Sequence, residues 1–385
     1  MSNMPTPSIE AHFASLSDPR VDRTKKHNLL DIIVIAICAV ICGADGWVAV
    51  EAFGHAKRDW LATFLQLPYG IASHDTFGRV FRVLDSKQFE RCFFNWISAI
   101  SELTEGEIVP IDGKQLRRSH DREDGKAAIH LVSAWSSVNG LALGQVEVAD
   151  KSNEITAFPK LLEVLDISGC IVTIDAMGCQ TEVAEKIVEE GGDYVLALKK
   201  NQGHLYEDVK LLFDDLQVNP IADAYTDCDI DSVQTVEKDH GRIETRQALT
   251  LSGADCIASL RNAPGFANLK TVVKVTAERD INDVVSVESR YYISSLDSDA
   301  SKLLNATRTH WGIENSVHWV LDIAFREDEC RIRKANGAHN FALLRRIALN
   351  LLKQENSVKL GIHNKRLNAA WDTDYLMKVL STLFQ

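Results

Sequence analysis

The sequence predicts an α/β chain: a mixed-sheet core carrying a β-rich insertion and preceded by an α-helical N-terminal domain. Three observations carry that reading. Apolar residues recur at helical spacing through the first hundred positions, and β-type runs begin abruptly near Glu107. Strands and helices then alternate until a long helical pattern returns after position 300. These shifts divide the chain into a helical 1–104, a mixed core at 105–350 with its insertion at about 204–300, and a helical tail at 351–385.

The run LLDIIVIAICAVICG, Leu29 to Gly43, carries Asp31 and falls short of the roughly 20 residues needed to cross a bilayer, so it reads as a buried helix. GWVAVEAFGHAKRDWLATFL is amphipathic. In SHDTFGRVFRVLD, Ser73 is placed to cap a helix whose apolar face is Phe77, Val80, Phe81 and Leu84. KQFERCFFNWISAISEL completes the set. The short helices around the LPYGIASHDT turn read either as a helix-turn-helix that docks on DNA or as a bundle with no DNA contact.

From Glu107 the order is IVPIDGK (strand), AIHLVSAWSSV and LALGQVEVA (strands joined at Asn139-Gly140, a two-residue hairpin signal), and SNEITAFPKLLEVLD, a helix capped by Ser152 or Asn153. IVTIDA (strand), TEVAEKIVEEGG (helix) and DYVLALK (strand) follow. Antiparallel first strands followed by parallel later ones form the layout of a ribonuclease H-like core. In the insertion, HGRIETRQALTLS, LKTVVKVTAERD and VVSVESRYYISSL read as strands, and ATRTHWGIENSVHWVLDIAF and NGAHNFALLRRIALNLLKQ as the closing helices.

Asp112 is read as ending the strand IVPID and Asp175 as ending IVTID. If those strands are neighbours, the carboxylates face each other and call for a cation, and hard oxygen donors suit Mg²⁺ or Mn²⁺. On the helix, Ile313, Val317, Val320, Leu321 and Ala324 form the core stripe, with Glu314, His318 and Asp322 on an adjacent polar one. Glu314 at that edge can reach a metal shared with the aspartates. An unrelated metal centre built on Glu314 and His318 lacks a further ligand at suitable spacing. Trp135, Trp311 and Trp319 read first as core residues, with stacking on an unpaired base as the alternative.

The net charge of −12 argues by itself against a nucleic-acid partner. Local basic clusters argue the other way: Arg20–Lys26, Lys114–His120, Lys199–Lys200, Arg331–Lys334 and Arg345–Arg346, several beside the candidate carboxylates. The eight cysteines are scattered, with no CxxC pair, which fits a reducing cytoplasm. MSNMPTPSIEAHF lacks the basic and apolar regions of an export signal, and no membrane partner is expected.

Several ordered stretches carry a family resemblance: IDGKQLRRS, HLVSAWSS, KSNEITAFPKLLEVLDISGCIVTIDAMGCQ, DYVLALKKNQ, HGRIETR, RYYISSL and RTHWGIENSVHWVLDIAFREDECRIRK. From about Ile111 to Lys334 the chain resembles the DDE transposases of bacterial insertion sequences, in particular the H-repeat-associated group found beside Rhs elements. The resemblance implies that Asp112, Asp175 and Glu314 are both catalytic residues and metal ligands, holding two Mg²⁺ or Mn²⁺ ions. It implies hydrolytic cleavage at element ends and strand transfer of the 3′-hydroxyl into target DNA. The partners would be double-stranded DNA and a second copy of the chain, in a homodimer bridging two ends. Candidate DNA contacts are Lys114, Arg117, Arg118, Lys199, Lys200, Asn201, His240, Arg242, Arg246, His310, Asn315 and His318. The Tyr-x2-Arg-x3-Glu-x6-Lys signature of related transposases is absent: Thr307, His310 and Leu321 fill its Tyr, Arg and Lys slots. Alternatives on the same residues are a ribonuclease H-like nuclease without strand transfer and a DNA-binding protein that has lost catalysis.

Overall fold

Two short apolar strands pair in parallel at the centre of the structure, and the rest of the sheet is laid down on either side of them. The computed structural model describes residues 9–101, 103–120, 127–148, 154–219, 227–239, 242–281 and 284–384. The strands are β1 (Ile108–Gln115), β2 (His130–Trp135), β3 (Ala142–Glu147), β4 (Ile171–Ile174), β5 (Asp193–Leu198), β6 (Asp229–Asp239), β7 (Arg242–Ser252), β8 (Thr271–Ile281) and β9 (Val284–Ser294). They form one nine-stranded sheet in the order β3-β2-β1-β4-β5-β9-β8-β7-β6. β1, β4 and β5 are parallel, and every other neighbouring pair is antiparallel. The first five strands therefore have the ribonuclease H-like arrangement. All four residues of β4 are buried, as expected for a strand covered on both faces.

The insertion extends this sheet. β9 pairs antiparallel with β5, from Val195↔Ser294 to Leu198↔Tyr291, so the inserted strands continue the core sheet edge to edge. Elements there that were not read from the sequence include the helices His204–Val218 and Ala254–Ser259 and the edge strand β6. The connection between β2 and β3 also differs from the expected two-residue turn, because residues 136–141 form a longer loop. Glu107 holds that loop open: its carboxylate accepts from the Ser136 hydroxyl and from the Val138 N–H at 3.2 Å. Gly140, at φ +68°, closes it. The proposed caps Ser152 and Asn153 lie outside the described residues.

Helix Leu29–Ile41 is buried from Asp31 to Ile41 because the helix Gly337–Gln354 packs along it. Trp47 stacks on Phe81 and meets Phe341 edge-on, each at 4.8 Å between ring centroids. Ser73 caps helix His74–Val83 as expected, accepting from the Thr76 N–H. The amphipathic run after Gly46 breaks at Lys57 into Trp47–Ala56 and Arg58–Leu61. Among the described residues no helix is long and apolar enough to cross a membrane. No cysteine among them is in a disulfide.

His339 ties three elements together. Its Nδ1 lies 2.9 Å from Glu147 on β3, and its Nε2 lies 3.3 Å from Glu90 on helix Ser86–Ile100. Burial alone would favour the neutral ring, but the two carboxylates outweigh it and raise the pKa from 6.5 to about 9. A raised cationic group stabilises the fold fully below its unfolded pKa, and that stability is lost as pH rises through the folded value. Stability should therefore fall between pH 6.5 and about 9, by roughly 3 kcal/mol at most. In denaturant titrations across this range, His339→Gln should flatten the profile. An unchanged slope in the variant would remove His339 from the account.

Candidate active site

β1 and β4 run side by side until Ile111 meets Ile174, which is their last paired position. Asp112 and Asp175 are the next residue on each chain. Asp175 does follow the end of its strand, and its Oδ1 accepts from the backbone N–H groups of Met177 and Gly178 at 3.1 and 3.4 Å. Asp112 does not end its strand. β1 continues to Gln115 against β2, with Asp112 opposite Ser133, because the antiparallel partner outlasts the parallel one. Asp112 thus stands on the first stretch of β1 whose β4 side is open.

The third carboxylate comes from a helix with an irregular turn. Helix Ala300–Ile313 passes into a π-helical turn at Glu314–His318 and resumes as Trp319–Phe325. Such turns widen a helix by one residue and are frequent at functional sites. Just before it, Gly312 lies against Trp135, where a Cβ would overlap the indole ring. The turn brings His318 Nδ1 to 3.1 Å from Glu314 Oε2 and 3.4 Å from Asp112 Oδ2. One ligand atom from each of Asp112, Glu314 and His318 lies within 4.8 Å of the others. Asp112, remote in sequence, is thus the third side chain of a ligand type beside Glu314 and His318. Asp175 stands outside this tight group, but it lines the same cavity of about 430 Å³ as Asp112 and Glu314.

The electrostatics follow from that packing. Burial pushes Asp112 up, but the His318 hydrogen bond and charge, with help from His310 and the Gly113 N–H, hold it below the ordinary carboxylate value. The His318 hydrogen bond lowers Glu314 as well. Burial opposes charge on His318, and the two carboxylates overcome it and raise its pKa. His310 is lowered by burial, despite the nearby charges of Asp112 and Asp175, and its Nδ1 lies 3.1 Å from the Thr173 hydroxyl. Carboxylate oxygens converging on one cavity, with two of them drawn to a buried imidazole, are a donor set suited to divalent cations.

The expected DNA contacts divide. Lys199 lines the cavity, Lys200 is exposed beside it, and Asn201 donates to the Ala176 carbonyl at 2.7 Å. Arg118 is exposed, and Arg117 is exposed and paired with Asp328 at 3.2 Å. Lys114 points inward instead. It is ion-paired with Asp322 and with buried Glu327, so it is not available to a phosphate. His318 is 2% exposed and faces the carboxylates, which excludes it from the DNA surface, and His310 is turned to Thr173. Arg345 and Arg346 are buried around Glu327 and are not a basic surface. Arg246 is held by Glu237 and Glu244, Arg242 remains about half exposed, and Asn315 is exposed; His240 lies outside the described residues.

Trp135 is buried as expected, whereas Trp311 and Trp319 are not core residues, being 51% and 59% exposed. Trp311 borders the candidate cavity and carries the Arg290 guanidinium 4.9 Å above its ring. Sequence reasoning missed Arg279, Arg290 and Arg308, which join Arg242, Arg246 and Asn315 around a second cavity of about 420 Å³. Arg290 and Trp311 line both cavities. The local sequence carried no clear signal for them: β8 and β9 hold one arginine each, Arg308 is on helix Ala300–Ile313, and strand register and helix packing together bring them to one cavity.

Comparison with known proteins decides the family. A family model described as "Transposase DDE domain" matches residues 76–351, and its companion, "DDE_Tnp_1-associated", matches residues 10–97. The chain belongs to the transposase DDE domain family. Over 376 residues it is 40% identical to "Putative transposase YncI" of Escherichia coli O157:H7, covering 97% of this chain and 95% of that one. Over 375 residues it is 39% identical to "H repeat-associated putative transposase YhhI" of Escherichia coli strain K12, covering 96% and 97%. It is also 44% identical over 297 residues to "Uncharacterized protein in dhlA 3'region" of Xanthobacter autotrophicus, covering 76% and 96%.

Within this family member, Lys114 serves the fold. Lys114→Ala should lower stability by about 3 kcal/mol, because Glu327 is left buried with a partner removed. The salt dependence of DNA binding should keep its slope in this variant. A slope reduced by about one would return Lys114 to a phosphate contact.

Proposed function

We propose that the protein is a metal-dependent DNA transposase that cleaves at its element ends by hydrolysis and transfers the 3′-hydroxyl into target DNA. The observation that carries this reading is the convergence of Asp112, Asp175 and Glu314 on one cavity in a member of the transposase DDE domain family. Two Mg²⁺ or Mn²⁺ ions held by these carboxylates would activate the attacking oxygen and stabilise the leaving 3′ oxygen in an in-line displacement at phosphorus. Asp112, central to the set, would serve both positions, with Asp175 completing one and Glu314 the other.

The chain's own groups would orient the DNA. Lys199 and Lys200 follow β5 at the cavity and would neutralise phosphates there. Arg242, Arg279 and Arg290 on the inserted strands and Arg308 on helix Ala300–Ile313 would supply positive charge, although Glu237, Glu244 and Glu288 pair with all four. Exposed Trp311 would stack on a base at the cavity edge. A homodimer bridging two ends is part of this reading, because strand transfer requires both ends near one target.

Purified protein is incubated with labelled DNA carrying its own element ends, with Mg²⁺, Mn²⁺ or EDTA. Cleavage should require metal, give a joined product, and drop at least about 10³-fold in Asp112→Ala, Asp175→Ala and Glu314→Ala. Nicking without a joined product would favour a nuclease. Binding without cleavage in the unaltered protein would favour a decayed DNA-binding member. Full activity in Glu314→Ala would mean that the helix carboxylate is misassigned.

A further inference from the structure

The two cation positions of the proposed site do not have the same donors. We propose that His318 is itself a metal ligand, its Nδ1 completing with Asp112 and Glu314 a mixed oxygen–nitrogen site that prefers Mn²⁺ to Mg²⁺. This rests on the transposase reading above and adds to it a ligand and a metal preference.

The geometry is that of a ligand triangle. With metal–donor distances near 2.1 Å, adjacent donors of an octahedral ion stand about 3 Å apart. His318 Nδ1 lies 3.1 Å from Glu314 Oε2 and 3.4 Å from Asp112 Oδ2. A hydrogen-bonding role explains this less well. Nδ1 carries at most one hydrogen, so it cannot donate well to two carboxylates from different elements at once. The ring is held by burial: His318 is 2% exposed, and Nε2 is buried without a hydrogen-bond partner, so only Nδ1 engages polar atoms. The π-helical turn serves the same end, since it spans the five residues from Glu314 to His318 and presents both side chains to Asp112.

The chemistry of the donors sets the preference. Imidazole nitrogen binds the transition metals well, whereas Mg²⁺ favours oxygen throughout. Among the described residues the tight group that includes a nitrogen donor is Asp112, Glu314 and His318, and the oxygens of Asp112 and Asp175 suit either ion. His310, the other histidine of the cavity, has its Nδ1 on the Thr173 hydroxyl and is not part of the triangle.

Mn²⁺ is titrated into the full chain without DNA, and pulsed electron paramagnetic resonance is recorded for nitrogen coupling to the bound ion. The unaltered protein should show ¹⁴N modulation that converts to ¹⁵N in protein labelled at histidine. The modulation should disappear in His318→Asn and persist in His310→Asn. Mn²⁺ affinity should fall about tenfold or more in His318→Asn, and Mg²⁺ affinity by less. Mn²⁺ that binds without nitrogen coupling in the unaltered protein would overturn the proposal and leave the carboxylate site standing. If Asp112→Asn leaves Mn²⁺ binding unchanged, the site itself is misassigned and both readings fall. The labelled unaltered protein gives its answer even if a variant fails to fold.

Discussion

Everything at the candidate site depends on the parallel pairing of β1 with β4. Their register ends at Ile111↔Ile174, so the next residue of each strand is an aspartate at the same level of the sheet. A slip of one residue would turn one side chain to the opposite face, because successive strand residues alternate. Val109, Ile111, Val172 and Ile174 pack in the larger core and Ile108 and Ile171 in the smaller one, so a slip would exchange side chains between two differently packed faces. Packing energy therefore fixes a pair of charges that, taken alone, would repel.

The helix supplies what the sheet cannot. Gly312 allows close contact with Trp135, and the π-helical turn then carries Glu314 and His318 to Asp112. Behind them, Lys114, Asp322, Glu327 and Arg346 form an interior ion-pair network that joins β1 to the same helix and to Gly337–Gln354. Glu327 is fully buried, and although burial opposes its charge, Arg346 and Lys114 hold its pKa down to about 2. The basic residue nearest Asp112 in sequence is thus a support for the site, and the exposed basic residues near the two cavities lie in the loop after β5, on the inserted strands and on helix Ala300–Ile313.

Much of this was legible in the residues. Short apolar strands ending near aspartate, the Ser73 cap and the helical stripe through Ile313, Val317 and Leu321 all rest on local periodicity, which survives folding. What local pattern misses is sidedness. Lys114, Arg345 and Arg346 look like basic surface in one dimension, and only the position of Glu327 turns them inward. Trp311 and Trp319 sit on the helix face opposite the core stripe, so their size suggested a burial that their phase denies. β6 was missed because DIDSVQTVEKD, on the sheet edge, has few apolar residues to mark it. His318 was read as a DNA contact because Asp112, the carboxylate that joins Glu314 beside it, is far away in sequence.

The most direct test of the central claim is to locate the cations. Crystals of the full chain soaked in Mn²⁺ and measured at the manganese absorption edge would give anomalous peaks independent of any assay. Two peaks about 4 Å apart are expected, one between Asp112 and Asp175 and one between Asp112 and Glu314. Manganese bound elsewhere, with none at the three carboxylates, would contradict the account.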